Sequence, residues 1–322
     1  MKLLSIIIPV YNVERYIRDC LESIFKQGLS DNVFEIILVN DGTPDNSIGV
    51  ISDFVDDHDN VIVLNQKNQG VSIARNAGLE KSQGKYVYFM DPDDLLVDDA
   101  LSILLPKAIE SSVDVLMTDH RRFNDGDDYE SLIHVTQQYS GCKKTGEQAY
   151  IEDLSPYECY IWKMIIKRSF LYEKNIFFKP FGYEDTLFCQ ECLIQARNVI
   201  KADLFLCAYR LRSGSFTSSM NLKKMLDLNS CLSALIRIKE NTKISIPVKR
   251  KLADNILSSL SYGIWCIANT ETLYHERKII VSDLKSKIPP SRLFFYGSIK
   301  QFLISVMFRF FPYIYLHLHR LW

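Results

Sequence analysis

Tyr86-Val87-Tyr88-Phe89-Met90 runs without a break into Asp91-Pro92-Asp93-Asp94. Four of the first five residues are β-branched or aromatic, and Gly84 sets the run off upstream, which is the composition of a short strand. A strand that is apolar on both faces belongs inside an α/β sheet covered by helices. Ligands of such sheets bind at the carboxyl ends of the strands, so the three acids are expected at a ligand site. Carboxylates this close repel one another unless something positive lies between them. A divalent metal carrying a phosphate meets that need. The competing reading is an acidic turn after a strand, with Asp94 capping a helix that begins around Leu95.

The chain on either side alternates in period. Strands are expected at Leu3 to Val10, Phe34 to Asn40, Val61 to Leu64 and Val113 to Asp119. Between them lie helical spacings at Glu14 to Gln27, Ser47 to Asp57, Val71 to Gln83 and Asp98 to Ser112. This βαβα order implies an α/β fold, a mostly parallel sheet flanked by helices with right-handed crossovers. Residues 121–150 are polar and form an excursion with some β-structure from Ile133 to Tyr139. Ile161 to Tyr172 reads as a strand or helix edge, Asp185 to Ala196 as a helix and Leu204 to Leu211 as a strand. From Leu222 onward the pattern is helical, punctuated by Pro247, Pro289-Pro290 and Pro312. The expected division is a first domain over 1–220 and a helical C-terminal region over 221–322.

A length of 322 residues suits one large domain and a smaller one. The net charge of -1 hides an asymmetry. Residues 1–222 carry 22 Lys+Arg against 33 Asp+Glu, whereas residues 223–322 carry 16 against 6. A basic, aromatic C-terminus beside an acidic half points to an anionic surface as partner, and nothing points to nucleic acid. The opening apolar run is short and ends at Pro9 without a small-residue cleavage site, so no signal peptide is expected. No stretch of about 18 uncharged apolar residues predicts a spanning helix. The 8 cysteines then read as reduced thiols in the cytoplasm. Cys189 and Cys192 have a CxxC spacing but no second pair at zinc-ribbon distance, and read as small buried residues.

Four segments together carry a resemblance. They are Ser5-Ile6-Ile7-Ile8-Pro9-Val10-Tyr11-Asn12, Val39-Asn40-Asp41-Gly42-Thr43-Pro44-Asp45-Asn46-Ser47, Asn68-Gln69-Gly70-Val71-Ser72-Ile73-Ala74-Arg75-Asn76-Ala77-Gly78, and Phe89-Met90-Asp91-Pro92-Asp93-Asp94. In this order and spacing the chain resembles a family 2 glycosyltransferase with the Rossmann-like GT-A fold over about residues 1–220. The resemblance implies transfer of a hexosyl or N-acetylhexosaminyl group, with inversion, from a UDP-sugar donor to a hydroxyl of a glycan or lipid-linked acceptor. It also implies Mn²⁺ or Mg²⁺ as cofactor and a place in cell-surface polysaccharide synthesis.

The residues bear on the donor side as follows. Pro9 ends the first strand, and the Tyr11 ring in the loop above it is placed to flank a base or ribose, or simply faces solvent. A carboxylate at Asp41 is able to accept the imide N–H of uracil, which cytosine and adenine do not offer; the competing role is a turn acid, as for Asp45. Asn68 precedes the helix that carries Arg75. That arginine either approaches base and phosphates or forms an ion pair with Asp91 or Asp93, and the two roles are compatible. The resemblance makes Asp91 a ribose or metal contact and Asp93 a metal ligand. Hard carboxylate and phosphate oxygens suit Mn²⁺ or Mg²⁺, and no His or Cys lies nearby in sequence to suggest zinc.

On the acceptor side, attack by a hydroxyl needs a base. In the family an acidic pair at this place supplies it, so Asp185 is assigned as base with Glu184 as neighbour or substitute. The competing role is a helix-start acid favoured by the dipole. Arg212 is assigned to leaving-group stabilisation, against a plain surface arginine, and Trp162 is open equally to stacking on an acceptor sugar face and to core packing. The segment 293–322, with Lys300, Arg309, His317, His319 and Arg320 among aromatic residues, has the composition of an interfacial helix. That composition is expected to bring the protein to the inner face of the plasma membrane; the competing reading is helices packing on the domain, or a dimer contact. Two rivals stand beside this reading. A sugar nucleotidyltransferase would need a Gly-rich basic loop where Pro9-Val10-Tyr11-Asn12 stands, and a non-catalytic nucleotide-sugar-binding protein would have a dispensable Asp185.

Overall fold

The computed structural model describes residues 2–155, 157–212, 221–241, 243–269 and 274–287. They form two compact units. The first takes the chain up to Ala149, Tyr160–Pro180 and the run from Glu191 to Arg212. The second takes Tyr150–Cys159, Phe181–Gln190 and the described residues from 221 onward.

The first unit is built on one nine-stranded sheet. In chain order its strands are β1 (Leu4–Val10), β2 (Phe34–Asn40), β3 (Val61–Asn65), β4 (Tyr86–Phe89), β5 (Leu95–Leu96), β6 (Val115–Asn124), β7 (Gly141–Lys144), β8 (Met164–Lys167) and β9 (Val199–Leu211). Their spatial order is β3-β2-β1-β4-β8-β6-β9-β5, with β7 on β9. Strands β1 to β4 pair in parallel and β6 pairs in parallel with β9. Strand β8 runs antiparallel between β4 and β6, and β5 and β7 are antiparallel to β9. All residues of β1 and β4 are buried, as expected for strands covered on both faces. The helix Val71–Lys81 lies flush on this sheet because Gly78 has no side chain. A Cβ there would clash with Ile7 Cγ2 and meet Val39 Cγ2 at 3.2 Å.

Several local expectations change. Pro9 lies inside β1, not at its end. The β4 pairing stops at Ile7–Phe89, so the missing proline N–H interrupts no ladder on that side. Leu95 and Leu96 form β5, and the helix begins only at Ala100. The excursion holds a short helix, Glu130–Ile133, and its strand comes later, at Gly141–Lys144. Both strands exist because β9, over 50 residues further on, supplies their hydrogen bonds. Ser47 to Asp57 divides into a 3₁₀ turn, Gly49–Ile51, and a short helix, Ser52–Asp57.

Among the described residues from 221 onward, the second unit has the helices Leu222–Lys239, Ile246–Asn269 and Tyr274–Lys287. Asn221 caps the first by accepting from the Lys224 N–H at 2.9 Å. Pro247 stands in the first turn of the second, where no intrahelical N–H is required. Leu228, Leu232, Leu235 and Ile236 of the first helix are buried with Leu252, Ile256 and Leu260 of the second and Ile280 and Leu284 of the third. Asn255 ties in the earlier segments, donating to Tyr150 Oη and Gln190 Oε1, each at 3.1 Å. Cys189 and Cys192 are buried on the helix Glu184–Gln195. Among the described residues no helix is long and apolar enough to cross a membrane. The aromatic, basic segment 293–322 lies outside the described residues, as do Pro289-Pro290 and residues 213–217.

Candidate functional site

The carboxyl ends of β1, β2 and β4 form the floor of the site. Above β1, Asn12 takes a positive φ of 56°, and Tyr11 beside it is 48% exposed. The loop is held by the segment after β2. Asn12 N donates to Thr43 Oγ1 at 2.8 Å, Val13 N to Ser47 Oγ at 3.0 Å and Glu14 N to Asp45 Oδ2 at 3.0 Å. Burial alone would raise the Asp45 pKa. The Ser47 and Thr43 hydroxyls and the Glu14 and Ser47 N–H groups outweigh it and bring it down to about 2.

Asp41 follows β2 and is buried. Its Oδ1 accepts from Gln66 Nε2 at 2.7 Å and Gln69 N at 2.8 Å, and its Oδ2 from Gly70 N at 2.8 Å. Asp41 therefore fixes the turn that starts the helix Val71–Lys81. That turn runs so close that Gly42 is required beneath it. Gly42 has φ +66°, and a Cβ there would meet the Asn68 nitrogen at 2.9 Å. Asn68 itself is exposed.

One turn into that helix, Arg75 is buried and donates from Nη2 to Asp91 Oδ1 at 2.7 Å. The guanidinium also lies 5.2 Å over the Phe178 ring. Phe178 is held by Asn76, whose side chain accepts from its N–H at 3.0 Å and donates to its carbonyl at 2.8 Å. Past β4 the acids separate in role. Asp91 is 28% exposed and Asp93 18% exposed at the side chain. Asp94 is fully buried and its Oδ1 accepts from Arg210 N at 2.8 Å. Asp94 is thus a brace between the loop and β9, not a helix cap. Burial pushes its carboxyl well above the ordinary carboxylate range, with Asp93 and Asp91 adding to the shift. Burial and the Asp91 charge also raise Asp93, and the Arg212 guanidinium opposes them. Arg212 Nε pairs with Asp93 Oδ2, and its guanidinium lies 5.2 Å over the Tyr16 ring.

Each half-buried carboxylate thus gives one oxygen to an arginine, Asp91 to Arg75 and Asp93 to Arg212, and each has a second oxygen. Among the described residues no three His, Cys, Asp or Glu side chains are grouped to enclose a metal ion. Two carboxylates that leave the remaining positions to phosphate and water suit Mg²⁺ or Mn²⁺, which rarely use an all-protein cage. The donor set therefore fits the implied ion. Arginines on either side also supply positive charge to a diphosphate.

Glu184 and Asp185 open the helix Glu184–Gln195 in the second unit. The preceding Tyr183 has φ 60° and its carbonyl accepts from Thr186 N at 3.1 Å. Both acids are half-buried. Trp162 is 1% exposed and packs between rings, 4.6 Å from Tyr160 and 5.3 Å from Tyr209. Of the two readings open to Trp162, core packing is the one the structure shows, because its faces are covered by protein. Sequence reasoning missed Arg210 and Asp125. Arg210 lies near the end of β9 and Asp125 in the polar excursion, but they meet 85 positions apart, with no local pattern to mark the pair.

Residues 5–171 match the family model described as glycosyl transferase family 2. Glycosyltransferase GlyA of Streptococcus pneumoniae is 30% identical over 261 residues, which are 78% of this chain and 36% of that protein. The minor teichoic acid biosynthesis protein GgaB of Bacillus subtilis is 41% identical over 102 residues, 31% of this chain and 11% of its own. The chain thus spans only part of these relatives' length. Staphylococcus aureus TarS 1-349, solved in complex with UDP-GlcNAc, superposes with a TM-score of 0.71 at 20% identity, covering 91% of this chain and 83% of that one. This likeness shows the GT-A fold.

Proposed function

The chain belongs to glycosyl transferase family 2, and from that premise we propose that it moves a hexosyl or N-acetylhexosaminyl group from a UDP-sugar to a hydroxyl of a glycan acceptor, with inversion. The observation that carries this reading is the pair of half-buried carboxylates after β4, each held by its own arginine, at the carboxyl edge of a mostly parallel sheet. The UDP-GlcNAc complex of TarS supports a UDP-sugar as donor, and the name of GgaB supports an acceptor among cell-surface polymers.

In this reading the base and ribose lie over Tyr11 and Asp41. The Asp41 Oδ2 accepts from Gly70 N and has a further lone pair with which to accept a uracil imide N–H. Asp91 and Asp93 would hold the metal ion, which when bound would offset the negative charge of the diphosphate oxygens. Arg212 stabilises the negative charge that builds on the departing UDP. Asp185 takes the proton from the acceptor hydroxyl as its oxygen attacks the anomeric carbon and the bond to the diphosphate breaks. One displacement inverts that carbon, and Glu184 orients the acceptor beside it.

The acceptor is lipid-linked in this proposal, presented at the inner face of the plasma membrane to the basic C-terminal hundred residues. Loss of liposome sedimentation on removal of residues 290–322 is the expected result; unchanged sedimentation sinks the anchor role. For the reaction itself, a panel of nucleotide sugars is scored by release of nucleoside diphosphate. Release from a UDP-sugar is expected. Asp93→Ala should lose metal-dependent UDP binding, whereas Asp185→Asn should bind UDP and fail to transfer. Normal transfer by either variant overturns its assigned role.

A further inference from the structure

We propose that Arg210 is a positioning residue for the donor site: it locks the Asp91–Asp94 loop onto the end of β9 and so sets where the Asp93 carboxylate meets the Arg212 guanidinium. The inference rests on the donor reading given above and extends it to a residue that touches neither donor nor metal.

Arg210 binds the loop through both its main chain and its side chain. Its N–H donates to Asp94 Oδ1 at 2.8 Å, and its Nε donates to the Asp93 carbonyl at 2.9 Å. Two residues further along the same strand end, Arg212 Nε reaches the Asp93 carboxylate. The Asp93 backbone and side chain are therefore held by two arginines of one segment, and the first fixes the path from which the second departs.

The guanidinium itself is built in. Arg210 is 6% exposed and lies 4.7 Å over Phe123, 5.1 Å over Tyr16 and 5.5 Å over Tyr129. Its charge is balanced by Asp125 Oδ1 at 3.4 Å from Nη1 and by Asp19 at 3.7 Å from Nη2. Asp125 is itself anchored, because its Oδ2 accepts from Tyr16 Oη at 2.9 Å. Nε and Nη1 each reach an acceptor of their own, which a planar fork allows and an ammonium on a flexible stem does not. A buried arginine serving only as ballast would not need a bond to the Asp93 carbonyl. That bond places a rigid group directly behind the carboxylate assigned to the ion. Ligand geometry for Mg²⁺ or Mn²⁺ is demanding, so a shift of a few tenths of an ångström at Asp93 should register mainly in metal-dependent affinity.

The test is calorimetric titration of the full chain with UDP, in Mn²⁺ and in chelator, beside thermal unfolding. Arg210→Lys keeps the charge and the aromatic cage but loses the Nε and Nη1 bonds. The expected result is a folded protein whose affinity for UDP in Mn²⁺ falls about tenfold or more, while its affinity in chelator stays within about twofold of the unsubstituted chain. Equal Mn²⁺ enhancement in variant and parent overturns the positioning role and leaves the donor reading intact. Absence of UDP binding by the parent overturns the donor reading, and the positioning role with it. Where Arg210→Lys fails to fold, Asp125→Asn decides on the same two titrations, because it loosens the guanidinium while leaving every donor contact in place. A loss of about threefold or more confined to Mn²⁺ supports the proposal, and an unchanged Mn²⁺ enhancement overturns it.

Discussion

Arg75 and Asp91 form an asymmetric ion pair: the guanidinium is 3% exposed, and the carboxylate it holds at 2.7 Å is 28% exposed. The buried partner is the one that carries the larger desolvation cost. Removing the carboxylate therefore takes compensation from a charge that water does not reach. Removing the arginine leaves a carboxylate that water does reach.

The two deletions should differ accordingly. Asp91→Ala is expected to lower unfolding free energy by about 3 kcal/mol, near the lower end for a broken buried pair. Arg75→Met, which keeps most of the volume over Phe178, is expected to cost about 1–2 kcal/mol. Urea unfolding of both variants checks this, and equal losses would contradict the assigned asymmetry. Both should weaken UDP binding.

Asp41→Asn separates the structural work of Asp41 from base reading. The carboxylate accepts three hydrogen bonds, two of them from main-chain N–H groups. An amide presents one oxygen in place of two, so an N–H is left facing an NH₂, at a cost of about 1–3 kcal/mol. The melting temperature should fall. If the residue also reads uracil, preference for UDP over CDP should shrink in the variant, measured by competition binding. Retained preference would leave Asp41 with the turn alone.

Asp45 gives a pH signature. Its pKa is lowered to about 2 against an unfolded value of 3.8, so its contribution is present above pH 4 and is lost as pH falls through 2. Asp45→Asn is expected to be less stable than the parent by about 1–2 kcal/mol at pH 7, after allowance for solvent screening. The two unfolding curves should converge near pH 2. A difference that persists unchanged into acid would show that hydrogen-bond geometry, not the charge, carries the effect.

Gly42→Ala tests the close approach of the loops after β2 and β3. The left-handed φ of +66° alone costs an alanine about 1–2 kcal/mol, and the 2.9 Å contact with the Asn68 nitrogen adds to it. Thermal unfolding should show a loss of at least that size, whereas Gly126→Ala, where a Cβ meets nothing within 4 Å, should cost only the φ penalty.

Much of the first unit was legible because its signals are local. The alternation of apolar strands with helical spacing predicts β1 to β4 and their parallel order. The glycines at 42, 70 and 78 mark where backbone must turn or approach closely. Arg75 and Asp91 are 16 positions apart, and the pairing of this helix residue with an acid of the strand end was among the sequence readings. The antiparallel β8 between two other strands, the two-residue β5 and the burial of Trp162 were not legible. Each depends on a partner strand or ring supplied from far along the chain, which a local window does not contain.

The sequence by itself determined the α/β class and the family. It also placed the acids at a strand end, because a repeating apolar period and a few short motifs are properties of neighbouring residues. Only the tertiary structure decided which of the three acids faces outward. Asp91, Asp93 and Asp94 are chemically alike and adjacent, and what separates them is the arrival of β9. Arg210 takes Asp94 and the Asp93 carbonyl from 116 and 117 positions away, and Arg212 takes the Asp93 carboxylate from 119. Burial and hydrogen bonding, set by sheet register, gave three like residues three different environments.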